Sequence, residues 1–428
     1  MINRSNLLLV AMAIHAGANA QTCMTHSSAT VPDAPVPVQF ADMDGDGDMD
    51  LVIGQLNLGA VSVLLNDGTG IFTVAGTYPV GPQVYGAATG DLNGDLLPDV
   101  VSGGLGTSQS PGLELSVRFN LGGGALGPAA TLATRPGPVT FVIVDIDGDG
   151  DNDILSANFW DNSISIYPNL GQGTFGRRID LPTQTHPQGL AVGDVSGDGR
   201  RDIVANNIDS DTILVFIAQP RGGFAPGVLY GTGRNPYYSA LVDLDGDTDL
   251  DVGVIHYKGG GAGSVRILLN NGSGVFVPKP DISVVPGPLG IGAADFDGDG
   301  DLDLAVSAST GSNVTLLLNN GSGAFPTSDV FPAGPHLYTL AIADFNGDSQ
   351  PDIAAAGWNQ GIGQSVELFL NCLPPRPADL NNDHMVNAAD LGILLGSWGT
   401  SDPAADLTKD GVVGAADLGV LLGAWGDC

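Results

Sequence analysis

Basic residues are scarce. Only 14 Lys and Arg stand against 47 Asp and Glu in 428 residues, a formal charge of −33. Binders of nucleic acid or anionic membrane need a basic patch, so both classes are excluded. Cysteine is nearly absent, with Cys23, Cys372 and Cys428 alone, which allows one disulfide and not a disulfide framework. Beyond the first 20 residues no apolar run is long enough to cross a bilayer. G-x-S-x-G, H-E-x-x-H, phosphate-loop and dinucleotide fingerprints are also missing. What is present is 43% hydrophobic residues, which excludes disorder, and 64 Gly with 28 Pro, which favour tight turns over long helices.

Residues 1–20 read as a secretory signal, with Arg4 before the apolar run Leu7 to Ile14 and Ala18-Asn19-Ala20 as a small-x-small cleavage site. The mature protein is therefore expected to be secreted, extracellular or on the cell surface, with no transmembrane segment.

The acids are concentrated in seven nine-residue loops. These start at Asp42, Asp91, Asp145, Asp194, Asp243, Asp295 and Asp344, spaced 49, 54, 49, 49, 52 and 49 residues apart. A period near fifty means a propeller, solenoid or array. In each unit one short apolar run precedes the loop and a second follows at once, as in Asp153-ILSA. A third, such as Ser264-VRILL, leads through a Gly-rich turn to Phe72, Leu126, Phe175, Phe224, Phe276 or Phe325. Four short strands per unit and seven units make an all-β, seven-bladed propeller spanning 21–372. A tandem calcium-binding β-helix would need its nonapeptides back to back, and these are not.

Those six aromatic or Leu residues each lie 19 residues before the next acidic loop, and 19 before Asp42 is Cys23. The last unit ends after its third strand, at Cys372. Residues near 23–31 should therefore supply the outer strand of the seventh blade, with Cys23 and Cys372 facing each other across a hairpin gap. A bond clasping so long a loop contributes roughly 4–5 kcal/mol or a little more in the chain-entropy model. Cys372–Cys428 is the competing pair.

In each loop, positions 1, 3, 5 and 9 carry hard oxygen donors. They are Asp42, Asp44, Asp46 and Asp50, then Asp91, Asn93, Asp95 and Asp99, then Asp145, Asp147, Asp149 and Asp153. The fourth and fifth loops offer Asp194, Ser196, Asp198 and Asp202, and Asp243, Asp245, Asp247 and Asp251. The last two offer Asp295, Asp297, Asp299 and Asp303, and Asp344, Asn346, Asp348 and Asp352. Several oxygens on a tight turn suit Ca²⁺. Position 4 is always Gly, whereas Leu96, Thr248 and Ser349 replace Gly at position 6. Metal-free polar turns are the alternative, but up to five like charges on nine residues repel strongly without a cation. The loops hold 29 of the 47 acids, so most of the charge is ligand.

The pattern resembles the FG-GAP/VCBS repeat family, most closely in DFDGDGDLDLAVS (295–307) and LLNNGSGAF (317–325). The resemblance implies an integrin-α-like propeller with Ca²⁺ between the first two strands of each blade. The family includes adhesion proteins, lectins and a few polysaccharide lyases, so the fold does not settle the function.

A Pro-rich linker (373–378) precedes a duplicated segment (379–428). Its two EF-hand-like loops carry Asp379, Asn381, Asp383, Asn387 and Asp390, and Asp406, Thr408, Asp410 and Asp417. Each runs into a short helix with apolar residues at i, i+3, i+4 and i+7, ending on Trp398 or Trp425, which are expected to be core. This loop–helix pair resembles a type I dockerin, which implies a small α-helical calcium-binding module and a cohesin-like partner. Alanines at loop positions 10 and 11 depart from the polar residues often found there.

The propeller face opposite the acidic loops collects Tyr85, Trp160, Asp161, His186, Arg234, Tyr237, Tyr238, His256, Tyr257, Lys258, His336, Tyr338, Trp358 and Asn359. Of these, Trp160, His256, Tyr257 and Trp358 are the candidate ligand-binding residues, suited to a sugar or peptide. Plugging of the channel by the same aromatics is the alternative. No catalytic residue is assigned. The first expectation is a non-catalytic binding or adhesion propeller for a glycan or extracellular protein. A polysaccharide lyase or hydrolase and a purely structural surface protein are the alternatives.

Overall fold

The computed structural model describes residues 22–31, 33–257, 262–334, 336–357, 365–371, 378–381 and 386–425. The expected signal, Cys372, Cys428, Lys258, Trp358, Asn359 and Asp383 lie outside them.

The repeats fold as seven antiparallel blades. In each, the inner strand runs into the acidic loop, and the loop's ninth residue opens the second strand. Those second strands, from Asp50–Gln55 to Asp352–Gly357, are buried at every position. Both of their faces are covered by neighbouring blades, which explains the apolar runs that follow the opening aspartate, such as Leu51-Val52-Ile53 and Ile203-Val204-Ala205. Fully buried residues such as Ile154 and Leu155 each contribute roughly 1.5–3 kcal/mol relative to exposure. Inner strands from all seven blades line a central cavity of about 180 Å³.

Each inner strand carries a β-bulge near its start, where the register with the second strand shifts. The bulged residues include Tyr85, Gln188, Tyr237, Tyr238 and Tyr338. A bulge bends its strand and re-aims the side chain, here at the channel end opposite the acidic loops.

The ring closes as the repeat spacing requires. Met24–Thr30 pairs with Ser365–Asn371 as the outer strand of the seventh blade. His26 Nε2 lies 2.6 Å from the buried Glu367 carboxylate across this seam. The alignment differs from the sequence spacing by one residue. Asn371 pairs with Met24 just as Asn66 pairs with Phe72. The residue in Phe72's place is thus Met24, which is buried in the core, and not Cys23. Cys23 lies one step beyond the ladder and is disulfide-bonded, which removes Cys372–Cys428 as the protein's one bond.

The C-terminal segment has two short helices, α1 (Ala388–Gly396) and α2 (Ala415–Gly423). Leu394 and Leu421 are fully buried with Val386 and Val413 from the loops. Trp398 and Trp425 are not core: they are 45% and 42% exposed. The loop valines and leucines already fill the space between the helices, so the i+4 and i+7 positions face outward.

Candidate metal loops and a candidate binding mouth

The first aspartate of each acidic loop folds the turn around itself. Asp42 accepts from the Gly45 and Gly47 N–H groups at 2.7 and 3.1 Å, and the same pair of bonds recurs down to Asp344 with Gly347 and Ser349. Positions 4 and 6 consequently adopt left-handed backbone, which Gly tolerates. Leu96, Thr248 and Ser349 take it too, with φ of 71°, 76° and 65°, at roughly 1–2 kcal/mol each.

Position 9 pins the loop to the sheet. In every blade this aspartate is fully buried, and each of its two carboxylate oxygens accepts a backbone N–H. Asp303 takes Phe296 N at 2.9 Å and Asn319 N at 2.8 Å. It thereby ties the loop to the end of the third strand. The residue met there is Asn in six blades, and its side chain reaches the preceding blade. Asn120 Nδ2 donates to Met43 O at 2.9 Å, Asn169 to Leu92 O at 2.8 Å and Asn66 to Phe345 O at 2.7 Å, the last across the ring closure. Asn270, Asn319 and Asn371 repeat the bond. In the fourth blade Ala218 stands in this place and has no side chain to make the link.

Four loops bring three carboxylates together with oxygens within 4.8 Å of one another. They are Asp42, Asp44 and Asp50; Asp145, Asp147 and Asp153; Asp243, Asp245 and Asp251; and Asp295, Asp297 and Asp299. Such clusters could hold a metal ion. Asp245 Oδ1 is buried with no hydrogen-bond partner, the state a bound cation would relieve. Burial and the adjacent acids raise Asp44, Asp147 and Asp245, and push Asp297 up to about 6. The other three loops have internal partners. Asn93 and Asn346 donate to Asp95 and Asp348 at 2.9 and 3.0 Å, and Arg200 pairs with Asp198.

The opposite end of the channel opens into a cavity of about 410 Å³. Two repeating positions build its wall. One is the bulge of the inner strand, which contributes Tyr85, Gln188, Tyr237 and Tyr338. The other lies six residues beyond position 9 and contributes Leu105, Phe159, Ile208 and Tyr257. This second position is fixed by a recurring backbone bond: Phe159 N donates to Gly137 O, Ile208 N to His186 O and Tyr257 N to Asn235 O, at 2.7, 3.0 and 3.1 Å. Rings pack closely, with Tyr237 and Tyr257 centroids 5.4 Å apart and Tyr85 and Tyr338 6.1 Å. Burial raises the phenols of Tyr85 and Tyr338 and pushes Tyr237 up to about 12. His186 stacks on Phe159 at 4.2 Å, and its Nδ1 lies 2.6 Å from Asp209.

Of the four residues expected to bind ligand, Trp160 and Tyr257 line the cavity and Trp358 lies outside the described residues. Trp160 rests on Gly137, where a Cβ would sit 2.4 Å from the indole. His256 does not join them. It is fully buried, with Nε2 accepting from Gly233 N at 2.8 Å and Nδ1 bonded to Ser264 at 3.0 Å. Asp209, Asn235, Gln188 and Phe159 were not singled out from sequence. Repeat spacing would have found Phe159, because it and Trp358 both lie six residues past a ninth-position aspartate.

A family model described as FG-GAP-like repeat matches residues 42–102, 145–205, 243–306 and 295–355, more than half of the chain. The chain belongs to the FG-GAP-like repeat family. No curated protein matches the sequence. Among solved structures the FG-GAP propeller is similar to a BBS1N chain in complex with ARL6DN, at 13% identity and TM-score 0.58, covering 83% of this chain and 98% of that one. It is similar to virginiamycin B lyase from Staphylococcus aureus at 11% identity and TM-score 0.55, covering 81% and 99%. A putative 6-phosphogluconolactonase from Bacteroides uniformis matches at 15% and 0.55, covering 78% and 92%. At these identities the likeness is one of fold alone.

In the C-terminal segment of this FG-GAP protein the last aspartates also act as pins. Asp390 accepts from Leu380 N and Asn387 N, both at 2.8 Å, and Asp417 from Thr408 N and Gly414 N at 2.9 and 2.7 Å. Asn387 caps α1, accepting from Ala389 N at 2.7 Å. Among the described residues no trio of acidic oxygens converges in this segment.

Proposed function

We propose that this is a secreted, calcium-stabilised binding propeller. Its ligand, a glycan or an extracellular protein, enters at the tyrosine mouth, and its C-terminal module tethers it as a dockerin does. The aromatic cavity carries this reading: its size suits a small ligand, and its wall combines rings with the polar groups of Gln188, Asp209 and Asn235. Calcium is supported by the all-oxygen donor sets of the four carboxylate clusters. The tether is supported by the equivalent outward residues of the two helices, Leu395 with Leu422 and Trp398 with Trp425, which offer a cohesin-like partner a duplicated apolar face.

A glycan array probed with the calcium-loaded chain should give hits that Trp160→Ala and Tyr257→Ala abolish. Binding that survives both substitutions puts the ligand elsewhere. A lyase is the second reading, favoured by the His186–Asp209 pair, since an oriented imidazole can abstract a proton. Release of unsaturated product from a polysaccharide would establish it. A hydrolase is less well supported, because the described lining offers one carboxylate and not two.

The ladder ending at Met24 and Asn371 supports Cys372 as the partner of Cys23. Non-reducing peptide mapping should return those two cysteines linked, and a Cys23–Cys428 peptide would refute the pairing.

A further inference from the structure

We infer that the mouth takes an organic ammonium ion, held by the tyrosine and tryptophan faces and by Asp209. This rests on the mouth being the binding site and names the chemistry of its ligand.

The wall is aromatic on several sides. Tyr85 comes from the second blade, Trp160 from the third, Tyr237 and Tyr257 from the fifth and Tyr338 from the seventh. The faces of such rings are electron-rich, and a cation within about 6 Å of a centroid is attracted to them, more strongly where water is excluded. Asp209 is the one charged group among the described residues of the lining. Its side chain is 51% exposed. Its partner His186 can donate from Nδ1 and leave the carboxylate its charge. Arg234, on the neighbouring connection, is exposed and outside the lining.

Other occupants fit less well. Calcium or magnesium wants six or more hard oxygens, and this wall is mostly carbon. An anion would be set against Asp209 on a chain with formal charge −33. A neutral sugar would use the rings and leave the charge idle. An alkylammonium uses both, and removing its methyl or methylene groups from water is itself favourable.

The test is calorimetric titration of the calcium-loaded full chain with choline and with 3,3-dimethylbutan-1-ol, a neutral compound of the same shape. Choline should bind saturably and at least tenfold more tightly than the alcohol. Asp209→Asn should reduce that preference severalfold, the rings retaining the remainder. Tyr257→Phe should keep choline binding, because the ring persists, whereas Tyr257→Leu should weaken it severalfold. Melting curves for each variant separate a lost site from a lost fold. Equal affinity for the two compounds, no binding of choline, or choline binding indifferent to Asp209→Asn and Tyr257→Leu would each overturn the inference. Array hits that depend on Trp160 without any choline preference would sink the ammonium assignment and leave the mouth as a binding site.

Discussion

Chelation should lower the melting temperature of the propeller steeply, and the loss should be greater at pH 8 than at pH 5. Each site held at a hundredfold excess of calcium over its Kd stabilises the folded chain by about 2.7 kcal/mol, and four loops present three-carboxylate clusters. The pH dependence follows from the buried ninth-position acids. Burial pushes Asp50, Asp99, Asp153 and Asp251 up to about 6, and Asp303 and Asp352 up to about 7, against the N–H bonds that lower them. A carboxyl raised above its unfolded value favours the folded state while protonated. That stability is full below about pH 4 and is lost as pH rises through 6 to 7. The metal-free protein should therefore melt lower at pH 8 than at pH 5. Calcium should flatten or reverse that trend by occupying the sites whose charges repel. Thermal melts in EDTA and in calcium across this range decide the matter. Identical curves in both would remove structural calcium from the account.

Replacing Asp303 by alanine should destabilise the protein by roughly 2–6 kcal/mol, since two buried N–H groups are orphaned at about 1–3 kcal/mol each. Asp303 is outside the sixth blade's carboxylate cluster, so the penalty should persist in EDTA. Asp303→Asn should recover only part of it, because the amide offers one acceptor oxygen where two are needed. A penalty seen only with calcium present would make Asp303 a ligand and not a pin. Denaturant unfolding with and without chelator measures the difference.

Much of this architecture is legible in the chain because the repeat is almost periodic. Seven acidic loops at near-fifty spacing announce blades, and the four oxygen-bearing positions of each loop, the first, third, fifth and ninth, include every carboxylate that gathers. The outer strand missing after Asn371 announces where residues 24–30 must go. The pinning role of the ninth position is not legible in the same way. An aspartate that binds metal and one that accepts two buried N–H groups look identical in sequence. Nor does Asn120 show that its amide crosses to Met43, 77 residues earlier, since that bond exists only once two blades are side by side.

His256 shows the opposite failure. A histidine beside Tyr257 at the end of a strand reads as part of a binding face. The alternation of side chains along a strand sends it instead to a partner on Gly233 and Ser264. The exposed Trp398 and Trp425 fail for a related reason. Helical periodicity marks one apolar face and says nothing of how much of that face the loops will cover.

By itself the sequence determined the blade number, the ring closure and the address of the negative charge. Each follows from a repeat whose local turns and strands form the same way in every copy. Only the tertiary structure decided which rings meet at the mouth. The bulges that turn Tyr85, Tyr237 and Tyr338 inward carry no marker of their own, and their convergence with Trp160 and Asp209 depends on blades distant in sequence closing around one channel.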